Sequence, residues 1–377
     1  MSSDISHTPN ENWRRRLADS PAVYPVIRRK SRGAKVGGVI IGAGFPISVQ
    51  SMTNTDTRDV AATVAQIKRL EEAGCEIARV AVLNSAAAAC LGEIKKQISI
   101  PLVADIHFSH TLALKAIEQG VDKVRLNPGN IGADWKVAEV VKAAKGAGIP
   151  IRIGVNSGSI PEALLAEFGH NDPRAFVAAA LGELEILEKH DFHDAIIALK
   201  STNVACTIAA YEMLAGLVDY PFHVGITEAG TLSTGSIKSA VGIGSILSRG
   251  IGDTIRVSLT ADPVDEIRVA KQILAALELK REGVEIISCP TCGRCQIDLI
   301  GLANRVEEKT RHIKTPLRVA IMGCTVNGPG EARAADVGIA GGKGEGVLFF
   351  RGVPRRKVKE KDLESALLAE IEKLASQ

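Results

Sequence analysis

Aromatic side chains are scarce: Phe, Tyr and Trp make up 3% of the 377 residues. That is too few to furnish the stacking platforms on which single-stranded nucleic acids bind. A large charge of either sign is missing too. The formal net charge of +3 implies neither nucleic acid nor an acidic membrane surface as a partner. No run of eighteen apolar residues occurs, so no membrane-spanning helix is expected. The seven cysteines are an odd number in a long chain whose first residues are not expected to form a signal peptide. They predict a reducing cytoplasm rather than a disulfide framework. Residues 1–27 are polar, include Arg14-Arg15-Arg16 and have no apolar core; they are expected to form a flexible arm rather than a targeting segment. A Gly-x-Gly-x-x-Gly loop after an early strand is also absent, which counts against a Rossmann sheet.

What is present is a rhythm. After a hairpin-like stretch at 36–46, apolar runs at 47–52, 77–82, 101–106, 123–127, 151–156, 195–200, 222–227 and 254–259 alternate with amphipathic stretches of helical length. Among the latter are 60–73, 111–119, 135–145, 173–189, 204–217, 237–248 and 264–277. Near-continuous apolar strands alternating with helices indicate a parallel sheet covered by helices. Eight such units fit an α/β fold of the (β/α)8 TIM-barrel type. Gly242-Ile-Gly lies within a helical stretch, where the glycines are read as permitting close packing. A charged run at 278–284 reads as a linker, which predicts a barrel at 28–280 and a smaller α+β domain at 281–377. In that domain strands are expected at 284–288, 317–322 and 337–340, a hairpin at 347–351, and helices at 296–309 and from Lys361.

The active site of such a barrel forms at the C-terminal ends of its strands. Several of these ends carry polar residues: Asp105 and His107, Arg125 and Asn127, Arg152 and Asn156, Lys200, Glu228, and Arg256 and Ser258. A period of two puts Arg125 with Asn127, Arg152 with Asn156, and Arg256 with Ser258 on common faces. If those faces look inward, three guanidinium groups and an ammonium converge, at a cost that an anion would offset. Arginine grips phosphate oxygens in bidentate fashion, so a phosphate or diphosphate ester is the expected substrate. The alternative for each charge is a structural ion pair. Glu228 is either a counter-ion or an acid–base group, and His107 either a hydrogen-bonding or a catalytic histidine.

The second domain opens on Cys289-Pro-Thr-Cys292-Gly-Arg-Cys295 and contains Gly323-Cys324-Thr-Val-Asn-Gly-Pro-Gly-Glu331. Thiolates at this spacing bind zinc or iron–sulfur. A zinc ribbon would repeat Cys-x-x-Cys in the partner loop, whereas this loop has one cysteine, glycines, Asn327 and Glu331. Three thiolates and one weaker ligand make a cluster with a reactive iron. Glu331 is then a resting ligand, or otherwise a surface carboxylate, and Cys295 could supply a fourth thiolate. Cys75, Cys90 and Cys206 read as buried thiols. A zinc-stapled phosphate-binding barrel and an RNA-binding protein are the rival classes.

Eight stretches in unbroken order carry a resemblance: PISVQSMTN (46–54), PLVADIHF (101–108), RLNPGNIG (125–132), IRIGVN (151–156), GITEAG (225–230), RVSL (256–259), CPTCGR (289–294) and GCTVNGPGE (323–331). The sequence resembles the 4-hydroxy-3-methylbut-2-enyl diphosphate synthases of the methylerythritol phosphate route to isoprenoids, in their shorter bacterial form. The resemblance implies reductive ring opening of 2-C-methyl-D-erythritol 2,4-cyclodiphosphate, with electrons passed singly through a [4Fe-4S] cluster from flavodoxin or ferredoxin. It implies Cys289, Cys292, Cys324 and an exchangeable Glu331 as cluster ligands, and Cys295 as none. Arg125, Arg152, Lys200, Arg256 and Ser258 would grip the diphosphate, with Asn127, Asn156, His107 and Glu228 near the reacting carbons. A homodimer is implied, the cluster domain of one subunit capping the barrel of the other.

Overall fold

The computed structural model describes residues 25–324 and 332–377, and their contacts divide into two units, Met1–Leu279 and Lys280–Gln377. Of the expected N-terminal arm only its last three residues are among those described, and Glu331 lies outside them.

The first unit opens with the antiparallel hairpin β1 (Gly33–Val36) and β2 (Val39–Gly42). Then follow β3 (Ser48–Met52), α1 (Val60–Ala73), β4 (Ile77–Ala81), α2 (Ser85–Lys96), β5 (Leu102–Asp105), α3 (His110–Glu118) and β6 (Lys123–Arg125). Next come the one-turn α4 (Pro128–Ile131), α5 (Asp134–Ala147), β7 (Ile151–Asn156), the short α6 (Glu162–Phe168), α7 (Pro173–Lys189) and β8 (Ala195–Lys200). The unit ends with α8 (Val204–Ala215), β9 (His223–Val224), α9 (Leu232–Ser248), β10 (Thr254–Ile255) and α10 (Pro263–Ala276). The strands β3 to β10 run parallel in the order β8-β7-β6-β5-β4-β3-β10-β9. A parallel bridge from Ile197 to Phe222 joins the two ends, so the sheet is a (β/α)8 barrel. Helices start where the chain offers an oxygen to their free N–H groups. Asp59, Asn84, Ser109, Asp172, Asn203 and Asp262 each accept from a first-turn backbone N–H, and Pro173 and Pro263 follow two of them.

Two differences from the sequence reading have physical causes. The expected strands 222–227 and 254–259 contract to the two-residue β9 and β10. The chain leaves the regular ladder at Gly225, where a Cβ would stand 2.5 Å from the carbonyl oxygen of Arg256. The alanine-rich α2 was not among the expected helices. Its narrow apolar stripe (Ala87, Ala88, Leu91, Ile94) is buried all the same. Gly242 has the packing role expected of it, since a Cβ there would run into the side chain of Ile226.

Outward-facing strand residues such as Val80, Ala104, Val124 and Ile153 pack against the helices. The hairpin closes the lower end, with Ala34, Val36 and Ile41 against the inward Ile77, Val103 and Ile196. Apolar filling of the interior stops there.

The second unit contains β11 (Val284–Ser288), α11 (Leu299–Thr310), β12 (Leu317–Met322), β13 (Val337–Gly341), β14 (Glu345–Phe350), β15 (Val353–Lys359) and α12 (Leu363–Ala375). Its sheet runs β11-β12-β13-β14-β15, parallel up to β13 and antiparallel beyond it. Both helices contribute to a core of Leu302, Val306, Val319, Ile339, Leu348, Leu367 and Ile371. The hairpin expected at 347–351 is longer, with β14 starting at Glu345 and β15 continuing to Lys359.

Candidate active site in the barrel and cysteine loops in the second unit

Strand register determines which residues share the barrel interior. Arg79 is level with Met52 and Val103, Asp105 with Arg125, Arg125 with Arg152, and Asn156 with Lys200. Side chains alternate along a strand, so these positions look inward together. Glycines make room for the large ones. A Cβ at Gly154 would stand 2.8 Å from Arg125 Nε, and one at Gly225 would stand 3.0 Å from Lys200 Nζ.

The interior that results is cationic. Arg79, Arg125, Arg152 and Lys200 are all buried, and Arg256 is nearly so. Two carboxylates face them among the described residues. Asp105 lies 3.3 Å from Arg125 and 3.9 Å from Arg79, and Glu266 holds Arg256 at 3.3 Å while accepting from Ser51 Oγ at 2.8 Å. Arg152, 2% exposed, keeps Nε and Nη1 buried without a hydrogen-bond partner, as is Nε of Arg125. Below them Lys123 has Gln50 Oε1 at 3.2 Å, and both ring nitrogens of the buried His223 are unpartnered.

Burial and mutual repulsion govern the titration of these groups. Desolvation is the largest influence on Arg79 and pulls it down to about 10 against the attraction of Asp105. Desolvation, followed by the field of Arg152, drives Lys200 and Lys123 well below the usual lysine range. Burial pushes Asp105 up, but Arg79, Arg125 and Arg152 outweigh it and leave the carboxyl below its ordinary value. Buried donors without acceptors, in an excess of positive charge, suit a multiply charged anion.

Above this layer opens a cavity of about 800 Å³ lined by His107, Arg125, Asn156, Glu183, Thr227 and Glu228, among others. His107 Nδ1 is 3.1 Å from Arg125 Nη1. Asn127 is committed to the scaffold: its side chain exchanges two hydrogen bonds with Gly154, at 3.1 and 2.8 Å. Asn156 anchors the next turn through its backbone N–H to Ser159 Oγ at 2.8 Å. Glu228 is exposed with φ of 49°, a left-handed conformation that costs a non-glycine residue roughly 1–2 kcal/mol. Ser258 is half-buried just beyond β10. The structure thus gathers Arg125, Arg152, Lys200 and Arg256 around one interior and puts His107, Asn156 and Glu228 on the cavity above.

The sequence reading missed Arg79, Lys123, His223 and Glu266. Arg79 had a usable signal, a lone arginine in the middle of an apolar strand. Glu266 had none, because a carboxylate in the first turn of a helix is ordinary.

In the second unit the parallel pairing of Ser288 with Ile321 and of Met322 with Ala340 brings the cysteine loops to one end of the sheet. Cys289 Sγ accepts from the backbone N–H of Gly323 at 3.3 Å, next to Cys324. Cys292 is exposed, and hydrogen bonding from the Arg294 backbone and then its side chain lowers its pKa. Cys295 packs against Gly323, where a Cβ would stand 2.7 Å from its sulfur. Among the described residues no group of three or more His, Cys, Asp or Glu side chains is close enough to hold a metal ion. As a donor set, the adjacent loops and a thiol biased towards thiolate are compatible with an iron–sulfur centre.

Comparison with known proteins agrees with both units. The GcpE TIM-barrel domain matches residues 31–271 and the GcpE protein C-terminal domain matches residues 285–373. A protein of Caldanaerobacter subterraneus subsp. tengcongensis named 4-hydroxy-3-methylbut-2-en-1-yl diphosphate synthase (flavodoxin) is 59% identical over 93% of this chain and 99% of its own length. The protein of that name from Geobacter sulfurreducens is 57% identical, also over 93% of this chain and 99% of its own length. A crystal structure of dihydropteroate synthase from Stenotrophomonas maltophilia matches with a TM-score of 0.48 at 16% identity, over 66% of this chain and 98% of that one. A likeness that loose carries no functional weight. On the two matched domains and the near-full-length relatives, the chain belongs to the GcpE family.

Proposed function

We infer that the chain is an iron–sulfur oxidoreductase that converts 2-C-methyl-D-erythritol 2,4-cyclodiphosphate to 4-hydroxy-3-methylbut-2-enyl diphosphate, the activity named for its relatives. Two electrons and two protons enter, the ring bond from carbon to the phosphate oxygen breaks, and one hydroxyl leaves as water. The observation that carries this reading is the overcharged barrel interior, where Arg79, Lys123, Arg125, Arg152, Lys200 and Arg256, all buried or nearly so, face Asp105 and Glu266.

Arg125, Arg152, Lys200 and Arg256, joined by Arg79 and by Ser258 at the rim, bind the diphosphate. The unpartnered donors of Arg152 and Arg125 take its oxygens as acceptors. Asn127, tied to Gly154, holds the Arg125 side of the site rigid. Asn156 and His107 orient the carbon skeleton, and His107 is itself steadied by Arg125. Glu228 holds or delivers a proton at the departing hydroxyl; its support is a left-handed backbone at the cavity wall, since strain of this kind clusters at functional sites. Cys289, Cys292, Cys324 and Glu331 would hold a [4Fe-4S] cluster, which when bound supplies the two electrons one at a time.

The donor is a flavodoxin or ferredoxin, in keeping with the relatives' names. The working form is a homodimer. Support comes from exposed apolar side chains, Met213 on α8 and Ile237 and Val241 one turn apart on α9, which a second copy would cover. No helix among the described residues is long and apolar enough to cross a membrane, and seven free cysteines with a thiolate-held cofactor fit the reducing cytoplasm.

The test is anaerobic turnover of the cyclic diphosphate with a reducing dye. The expected result is a brown protein that forms the linear allylic diphosphate. A colourless protein with stoichiometric zinc and no product would overturn the reading.

A further inference from the structure

The segment 343–361 holds seven Lys and Arg against two acids, a greater positive excess than the whole chain carries. Part of it has an ordinary explanation. β15 is an edge strand, and charged side chains keep an edge from pairing with other chains. Arg356 also reaches Glu370, and Lys357 pairs with Glu345. Edge protection does not account for Lys343, in the turn between β13 and β14, nor for Lys361, beyond the end of β15. With Lys359 these two border a concavity of about 710 Å³ that also includes Glu345 and Glu360. The three lysines are exposed and have no acidic partner among the described residues.

Topology puts this concavity at the cysteine end of the sheet. Cys289 follows β11 and Cys324 follows β12, where the parallel strands finish. β13 finishes at the same end, so the turn with Lys343 is there too. β14 runs back, and β15 returns with Lys359 opposite Glu345. The backbone N–H of Glu360 donates to Gly344 O at 3.1 Å, which pins the two lysine-bearing turns side by side. Strands lie about 4.8 Å apart, so Lys359 is some three spacings, about 14 Å, across the sheet from the strand that leads to Cys324.

We propose that Lys343, Lys359 and Lys361 form the docking surface for the electron donor, an acidic one-electron carrier protein of flavodoxin type. The proposal rests on the redox reading given above. Charge complementarity commits it to that occupant: an exposed, unpaired cationic patch at the cysteine end of the sheet suits an acidic carrier that must come close to the thiolates. Steering by such a patch raises association rates by roughly 10- to 1,000-fold and fades with ionic strength.

The test compares the iron-loaded protein with its K343E/K359E/K361E variant. Binding of reduced flavodoxin is measured directly by calorimetry, and turnover is driven in parallel by flavodoxin and by a small reducing dye. The expected result is at least a tenfold weaker flavodoxin affinity, a flattened salt dependence, and dye-driven turnover within twofold of wild type. A K343Q/K359Q/K361Q variant should fall between the two. Unchanged flavodoxin affinity overturns the proposal, as does a K343Q/K359Q/K361Q variant with wild-type affinity and wild-type salt dependence. Wild-type protein that turns over with neither reductant sinks the redox reading instead, while the calorimetric comparison still decides whether the lysines bind the carrier.

Discussion

The barrel interior and the cysteine loops are built on opposite principles. In the barrel, rigid strands hold Arg79, Arg125, Arg152 and Lys200 in place before any ligand arrives. The burial cost of those charges is met by the packing of the surrounding shell. In the second unit the chemistry is carried by loops, which the parallel strands β11 and β12 bring to one end of the sheet with Cys289 and Cys324. Preorganised charge gives affinity for an anion at the expense of stability. A thiolate-held metal centre would instead contribute its binding free energy to the folding of the unit that holds it.

The largest expected effect breaks one side of this comparison while sparing the other. Cys324→Ser should lose most of its iron and at least a hundredfold in turnover, while diphosphate binding to the barrel stays within a few-fold. Iron analysis and calorimetry with the substrate check both halves, and a variant that keeps full iron content would remove Cys324 from the ligand set.

Arg152→Met tests the other side. Replacing a buried charge by an apolar side chain of similar length is expected to stabilise the free protein by about 1–4 kcal/mol, yet to weaken diphosphate binding at least a hundredfold. Thermal unfolding with and without the ester decides it. A destabilised variant would mean that the guanidinium contributes to the fold rather than waiting for a ligand.

Lys200 gives a subtler signature. In the free protein burial and Arg152 hold its pKa well below the ordinary 10.5. A bound diphosphate favours the ammonium and raises that pKa. Binding should therefore take up protons between the free-state and bound-state pKa values, and affinity should fall as pH rises through that window. Calorimetry in two buffers of different ionisation enthalpy measures the uptake, which should shrink in Lys200→Gln. Identical heats in both buffers for the wild type would sink the idea. The same depression acts on folding with its own sign. Below the unfolded-state pKa the unfolded chain binds a proton that the folded chain resists, so stability rises with pH up to about 10.5 for this one group.

The smallest effect sharpens the contrast within the cysteine loops. Cys295→Ser should keep its iron and most of its activity, because its sulfur packs against Gly323 and donates to Ile297 O at 3.3 Å. Loss of iron would make Cys295 a fourth thiolate.

Much of this was legible along the chain. The alternation of apolar runs and amphipathic helices indicated the barrel, and strands such as β7 and β8 match the expected bounds to the residue. A period of two gave the common face of Arg125 and Asn127, which converge on Gly154. Other features were not legible, for reasons that can be named. β9 and β10 are two residues long, and Gly225 lets its backbone approach that of Arg256 closely, which no local propensity reports. That the Asn127 side chain also ties two strands together, through Gly154, depends on their register and is not read from local sequence.

By itself the sequence determined the architecture, the supply of inward cations and the spacing of the thiols, because these depend on periodicity and residue type. Only the tertiary structure decided how many cations share the interior, that Asp105 and Glu266 alone oppose them there among the described residues, and that the lysine-bearing turns sit at the cysteine end of the second sheet. Those outcomes depend on register between strands distant in sequence, and register is set by how the whole core packs.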